Sequence, residues 1–387
     1  MNNPASLNQT LSRRNQFRFP HNLIDLLHIS SAHTLRLAIA VAAAAWLPAI
    51  ALSTLHGLVS LKSFLLDIAA QSRLLIVLPL LVLTEPVLTT RLATIARHFL
   101  AADLVRQEDT SRFEKAFAAF ERRGNSLIAQ VGIVVIVYVV IASSMLYLVN
   151  GILPRWCYMT DAKSSLSGAG TWYVLVSIPI MLYLLFRWMW RQILWSWFLQ
   201  IVSRMDLKLV PSHPDLVGGL GFLESSLRGS MPFSFALGTI VAGAVANEMI
   251  HSHLPLLQFK HVPIVVTAIV VILCVGPLCA FMGILLQTKR RGTFEYGSLA
   301  IALGHQFESK WLNTTRKVDG DVLEVPDFSA TTDLYSVAAN VRQMNFAPFS
   351  ISSVVRLIGV TLIPAIPVAL IAVPFDVLLQ HVIKLLL

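Results

Sequence analysis

Seven apolar runs, each close to the roughly 20 residues that cross a bilayer as a helix, recur at 37–59, 74–90, 128–149, 171–187, 231–250, 263–287 and 352–373. Their length and spacing predict an all-α fold, a polytopic transmembrane helical bundle of about seven spans. The second run, LLIVLPLLVLTEPVLTT, carries Pro79, Glu85 and Pro86. It is expected to be broken by proline or to extend backwards through SFLLDIAAQSR as a longer, tilted helix. Three intervening segments, about 91–126, 188–230 and 288–350, are too long to be plain connectors between helices.

Those segments carry helical periodicity of their own. Phe113, Phe117 and Phe120 form an apolar stripe among Arg112, Glu114, Lys115 and Glu121. Tyr296, Leu299, Leu303, Phe307 and Trp311 form a second stripe, and Leu334, Val337, Val341 and Met344 a third, after a cap expected at Thr331-Thr332-Asp333. RKVDGDVLEV between them reads as a small hairpin around Asp319-Gly320. Amphipathic helices of this kind predict a small helical cytoplasmic layer. The chain then divides into a segment 1–36, spans 1–2 over 37–90, a connector 91–127 and spans 3–4 over 128–187. An interfacial segment 188–230, spans 5–6 over 231–287, an insert 288–351 and a last span with outer tail over 352–387 complete it.

Composition agrees with that picture. Hydrophobic residues make up 56% of the chain, charged residues 13%, and mean hydropathy is +0.69, whereas soluble domains carry about a quarter charged residues. No removable signal peptide is expected before the first span. The net charge of +9 matters less than its distribution: 24 of the 30 Lys and Arg residues lie in alternate segments and 6 in the others. The positive-inside rule therefore predicts a cytoplasmic N-terminus and a periplasmic C-terminus. DVLLQHVIKLLL can lie along the outer surface as an amphipathic tail. The bilayer is the expected partner, and no nucleic acid is expected. Trp188, Trp190, Trp195 and Trp197, interleaved with Arg187 and Arg191, read as an interfacial belt.

Candidate chemistry is sparse. Cys157, Cys274 and Cys279 have neither C-x-x-C nor His-Cys spacing, so no disulfide framework or structural zinc site is expected, and no cofactor is expected. Glu85, a carboxylate within a span, is read as a proton or cation site, or as one member of an ion pair with a basic residue such as Arg91. The fifth span bears Ser234, Gly238, Ala242 and Ala246 at spacing four, beside Thr239, Gly243 and Asn247. Small residues let backbones approach closely, so this helix is expected at the centre of the bundle or at the interface of a homo-oligomer, with Gly276 and Ala280 as a matching face. Asn247 and Glu248 are further pathway candidates, and Glu248, His251 and His253 are candidate ligands for a divalent metal. In HPDLVGGLGFLESS, His213 is expected to cap a helix begun by Pro214 and Asp215. Gly218, Gly219 and Gly221 then allow close approach of a helix or a ligand.

HPDLVGGLGFL, EYGSLA followed by FESKW, and TTDLYSVAANVRQMNFAPF together resemble a group of bacterial polytopic inner-membrane proteins. The similarity covers roughly 205–350 and departs in the last stretch, where the group's pattern is more acidic and less branched. The resemblance implies a bacterial inner membrane and assigns no activity. From the residues, Glu85 in a proline-containing span points to a channel or transporter for a small ion or solute rather than an enzyme. The alternatives are a membrane-anchored sensor or scaffold whose cytoplasmic layer binds a protein partner, and a lipid head-group enzyme using His213 and Asp215 as acid and base.

Overall fold

The computed structural model describes residues 32–148, 153–159, 162–252, 256–312 and 327–372. Arg13, Arg14, Arg18, His253, the expected Asp319-Gly320 hairpin and the C-terminal tail lie outside the described residues. The chain folds as an all-α bundle with six helices long and apolar enough to cross a membrane, or seven when one bent pair counts as a span. It is a multi-pass membrane protein.

Helix α1 (Ala32–Leu55) is followed by the short α2 (Leu58–Leu65) and by α3 (Ile68–Ala101). Next come α4 (Gln107–Gly124), α5 (Leu127–Leu148), a small antiparallel hairpin of β1 (Tyr158–Met159) and β2 (Ala162–Leu166), and α6 (Gly168–Val202). A looped segment and one tight turn (Gly221–Glu224) lead into α7 (Ser225–Ser252). Then α8 (His261–Val275) passes through a 3-10 segment (Gly276–Phe281) into α9 (Met282–Trp311). Antiparallel to α9 lies α10 (Asp327–Gln343), followed by α11 (Ile351–Leu362) and α12 (Ala365–Ala372), which bend by 50° about Ile363 and Pro364. Among the described residues, most arginines and lysines fall in the segments at one end of the spans, hereafter the basic end.

Helices α3 and α6 are built alike. A side chain caps each one, Asp67 Oδ1 accepting from Ala70 N and Ser167 Oγ from Gly170 N. A π-helical turn follows in each, Ser72–Val77 in α3 and Tyr173–Ser177 in α6, and then Pro79 or Pro179. Proline donates no hydrogen bond, and its ring crowds the carbonyl four residues back; widening the preceding turn relieves both problems. In α6 that carbonyl, Leu175, accepts a hydrogen bond from Tyr138 Oη of α5 at 3.3 Å. The two π turns meet where Arg73 donates to Tyr173 Oη at 3.2 Å. Capping residues and prolines keep a constant offset of 100 residues (Asp67 and Ser167, Pro79 and Pro179), a repetition the apolar pattern alone does not show.

The second span is therefore not broken at Pro86. Its helix runs unbroken from Ile68 to Ala101, 34 residues, or about 51 Å at 1.5 Å per residue. It extends backwards only as far as Asp67, and α2 is separate. The fourth span likewise continues past Arg187 to Val202. Two of the four tryptophans expected as an interfacial belt are in the core, Trp188 stacked on Phe233 and Trp195 fully buried, while Trp190 and Trp197 stay partly exposed beside Arg123. The burial of Trp195 comes from the amphipathic α4, which lays Phe113 and Phe120 across the end of α6 against Phe198 and Trp195.

At the basic end, α4, the looped segment 203–220 and residues 344–350 form a layer. Lys208 N donates to Leu104 O at 2.8 Å, and Asn345 N to Leu216 O at 2.7 Å. Beyond it, α9 and α10 form a hairpin closed by Phe307, Trp311 and Phe328. Thr331, Thr332 and Asp333 lie inside α10, which already starts at Asp327, so they do not cap it.

Candidate functional site

A charged site between two spans joins α3 to α6. Glu85 Oε1 lies 2.5 Å from Arg187 Nε and 3.2 Å from Arg191 NH2. Arg191 also donates to Thr89 Oγ1, one turn beyond Glu85, and Arg187 to Tyr183 Oη at 3.2 Å. Arginines at i and i+4 lie on one face of a helix, so α6 presents both guanidinium groups to the same carboxylate. All three side chains are well screened from solvent, with 22% (Glu85), 25% (Arg187) and 9% (Arg191) of their surface exposed. Two cations against one carboxylate leave a net positive charge.

Of the readings offered for Glu85, the ion pair is the one observed, but its partners come from a different helix. Arg91 lies six residues along α3, about 120° away from Glu85 around the helix. The signal for the true partners was present in the sequence as FRWMWRQ, in which the tryptophans suggested an interface instead.

The glycine-rich loop is a second polar centre. His213 does not cap a helix, because Leu216, Gly218 and Gly219 take positive φ values of 58°, 68° and 97°. The chain turns back on the Asp215 carboxylate. Asp215 Oδ1 accepts from Val217 N (2.9 Å) and Gly219 N (3.1 Å), Oδ2 accepts from Gly221 N (2.9 Å), and His213 Nδ1 lies 2.7 Å from Oδ1. Side-chain acceptors of this kind compete with helix formation by satisfying nearby amides. Burial pushes the Asp215 carboxyl up, but the three amides and His213 outweigh it and hold it below the usual carboxylate range. Amides that would cradle a phosphate are thus occupied by an internal carboxylate. Gly218 closes against Met344 and Leu209, placing the loop as a packed joint.

The small-residue rows pack within the chain. A Cβ on Gly238 would strike the Thr361 carbonyl of α11, and one on Gly243 would strike Ser72 of α3. Ser234, Ala242 and Ala246 are buried beside them. The expected matching face on the sixth span is not used in this way, since a Cβ on Gly276 meets nothing within 4 Å. α7 is the central helix, and its neighbours are α11, α3, α8 and α12.

The remaining candidates do not join these centres. Asn247 and Glu248 lie near the far end of α7, and the buried Asn247 Oδ1 has no hydrogen-bond partner. His251 Nδ1 lies 2.9 Å from the Asn247 carbonyl one turn back. No group of three or more His, Cys, Asp or Glu arranged to hold a metal occurs among the described residues, and His253 lies outside them. A buried group that sequence reasoning missed is Asp67, whose Oδ2 accepts from Trp156 Nε1 at 2.9 Å. This bond ties the start of α3 to the 3-10 turn (Arg155–Cys157) that precedes β1, with its buried Cys157, whose thiol is pushed up by burial and by Asp67. The chain matches no family model, no curated protein and no solved structure.

Proposed function

We propose that this protein is a channel or transporter for a small ion or solute in a bacterial inner membrane, its pathway running along the contact between α3 and α6. The supporting observation is the Glu85, Arg187 and Arg191 cluster between two spans. Ionisable groups inside a bundle are costly and mark conduction or substrate sites. The net positive charge of the cluster favours an anion. The paired π turns above it supply local weak points at which α3 and α6 can flex.

Flux measured in liposomes under proton, potassium and chloride gradients tests this reading. Native protein is expected to pass chloride in preference to either cation, and Glu85→Gln to change that flux at least severalfold. Liposomes that stay tight under every gradient overturn it. The variant's thermal midpoint is read alongside, since removing one partner of a buried ion pair costs about 3 kcal/mol.

A second reading, a scaffold, is supported by the α9–α10 hairpin. Phe294 and Ile301, two turns apart on one face of α9, are 78% and 63% exposed, an apolar surface suited to a cytoplasmic partner or a second copy of the chain. Site-specific cross-linking from position 294 in cells that yields no adduct counts against it.

A further inference from the structure

Along the wall of the bundle, beside the charged cluster, runs a cleft of about 390 Å³ between α1 and α5, floored by α3 and α6. Its sides are aliphatic, including Val41, Val82, Val134 and Ile180, and its polar lining is Glu85, Arg187, Tyr138 and Tyr183. Glu85 and Arg187 join the net positive cluster at the basic end. From Pro179 to Arg187 the cleft follows α6 for about 12 Å. Leu37, Val134 and Tyr138 on its rims are 48%, 40% and 47% exposed and face outward from spanning helices, so the opening is towards the membrane.

An apolar furrow opening sideways into a bilayer excludes water and takes up hydrocarbon. A positive charge left over at its end calls for an anion at headgroup depth, where one basic residue attracts an acidic lipid. We propose that this cleft binds one anionic phospholipid. An acyl chain lies along Val41, Val134 and Ile180, and the phosphate meets Arg187, whose guanidinium carries five donors. Arg187 donates to Tyr183 Oη, and its Nε, which lies against Glu85 as an ion pair, makes no hydrogen bond. The site does not depend on transport, because a lipid can be held there whether or not any solute crosses.

The test is native mass spectrometry of the full-length protein in mild detergent, titrated with phosphatidylglycerol and with phosphatidylcholine of the same acyl chains. Native protein is expected to retain phosphatidylglycerol about fivefold more tightly, the effect of one basic residue at an anionic headgroup. Arg187→Gln is expected to abolish that preference by weakening phosphatidylglycerol alone. Val134→Trp, which fills the mouth of the cleft and leaves the ion pairs intact, is expected to weaken both lipids severalfold. It decides the matter should Arg187→Gln fail to fold. Equal retention of the two lipids by native protein, or Val134→Trp behaving as native, overturns the proposal. So does displacement of the bound lipid by glycerol phosphate, which would make a soluble phosphate the occupant. Loss of lipid retention with flux intact, or the reverse, separates this site from the transport reading.

Discussion

Asp215 shows how one side chain can reverse a local expectation. Pro214 and Asp215 after His213 fit a helix start, yet the carboxylate has three amides within reach once Gly218 and Gly219 take positive φ. Because its folded pKa is depressed, the carboxylate contributes stability above the ordinary aspartate value of about 3.9. That contribution is lost as pH falls through the lower folded value. Asp215→Asn keeps one acceptor oxygen and is expected to melt at a lower temperature than the native protein at neutral pH, with the gap closing below about pH 4. A gap unchanged down to pH 3 would show that the carboxylate's charge does not hold the loop. The polar composition of this loop was legible in the sequence. Its internal occupant was not, because a collar of amides around a carboxylate depends on backbone angles that no spacing rule specifies.

Among the elements, α7 tests how small residues act. Its rows at spacing four were readable as a close-packing face, but the helix they face was not, since several spans offer small or aliphatic surfaces. The backbone of α11 comes close enough for the Thr361 carbonyl to fill the space beside Gly238, whereas Gly276 faces open space. Gly238→Ala is therefore expected to destabilise by about 1–3 kcal/mol through overpacking, read as a lowered thermal midpoint in detergent. Gly276→Ala is expected to match or slightly raise the native midpoint, because alanine is the better helix former. Equal losses at both positions would mean that helix propensity, and not contact with α11, governs these sites. The π turns of α3 and α6 belong to this scale too. Pro79 and Pro179 were visible in the sequence, but which proline widens a helix and which, like Pro86, is carried within it is settled by the neighbours that stabilise the altered turn.

For the whole molecule, the excess of Lys and Arg at the basic end predicts its orientation. Met159, half exposed in the β-hairpin at the opposite end, and Arg204, exposed at the basic end, are suitable reporters. Intact cells treated with a membrane-impermeant maleimide are expected to label Met159→Cys and to leave Arg204→Cys unlabelled until the cells are opened; the reverse pattern would invert the topology. Hydropathy by itself determined the class of fold, the approximate spans and the amphipathic face of α4, because each depends on solvent preference averaged over a helix and needs no knowledge of neighbours. Tertiary structure alone decided that Glu85 pairs with Arg187 and Arg191, that Trp188 and Trp195 are buried, and that a cleft opens between α1 and α5. Those outcomes depend on which faces of separate helices meet, and a one-dimensional pattern records the faces of each helix but not their partners.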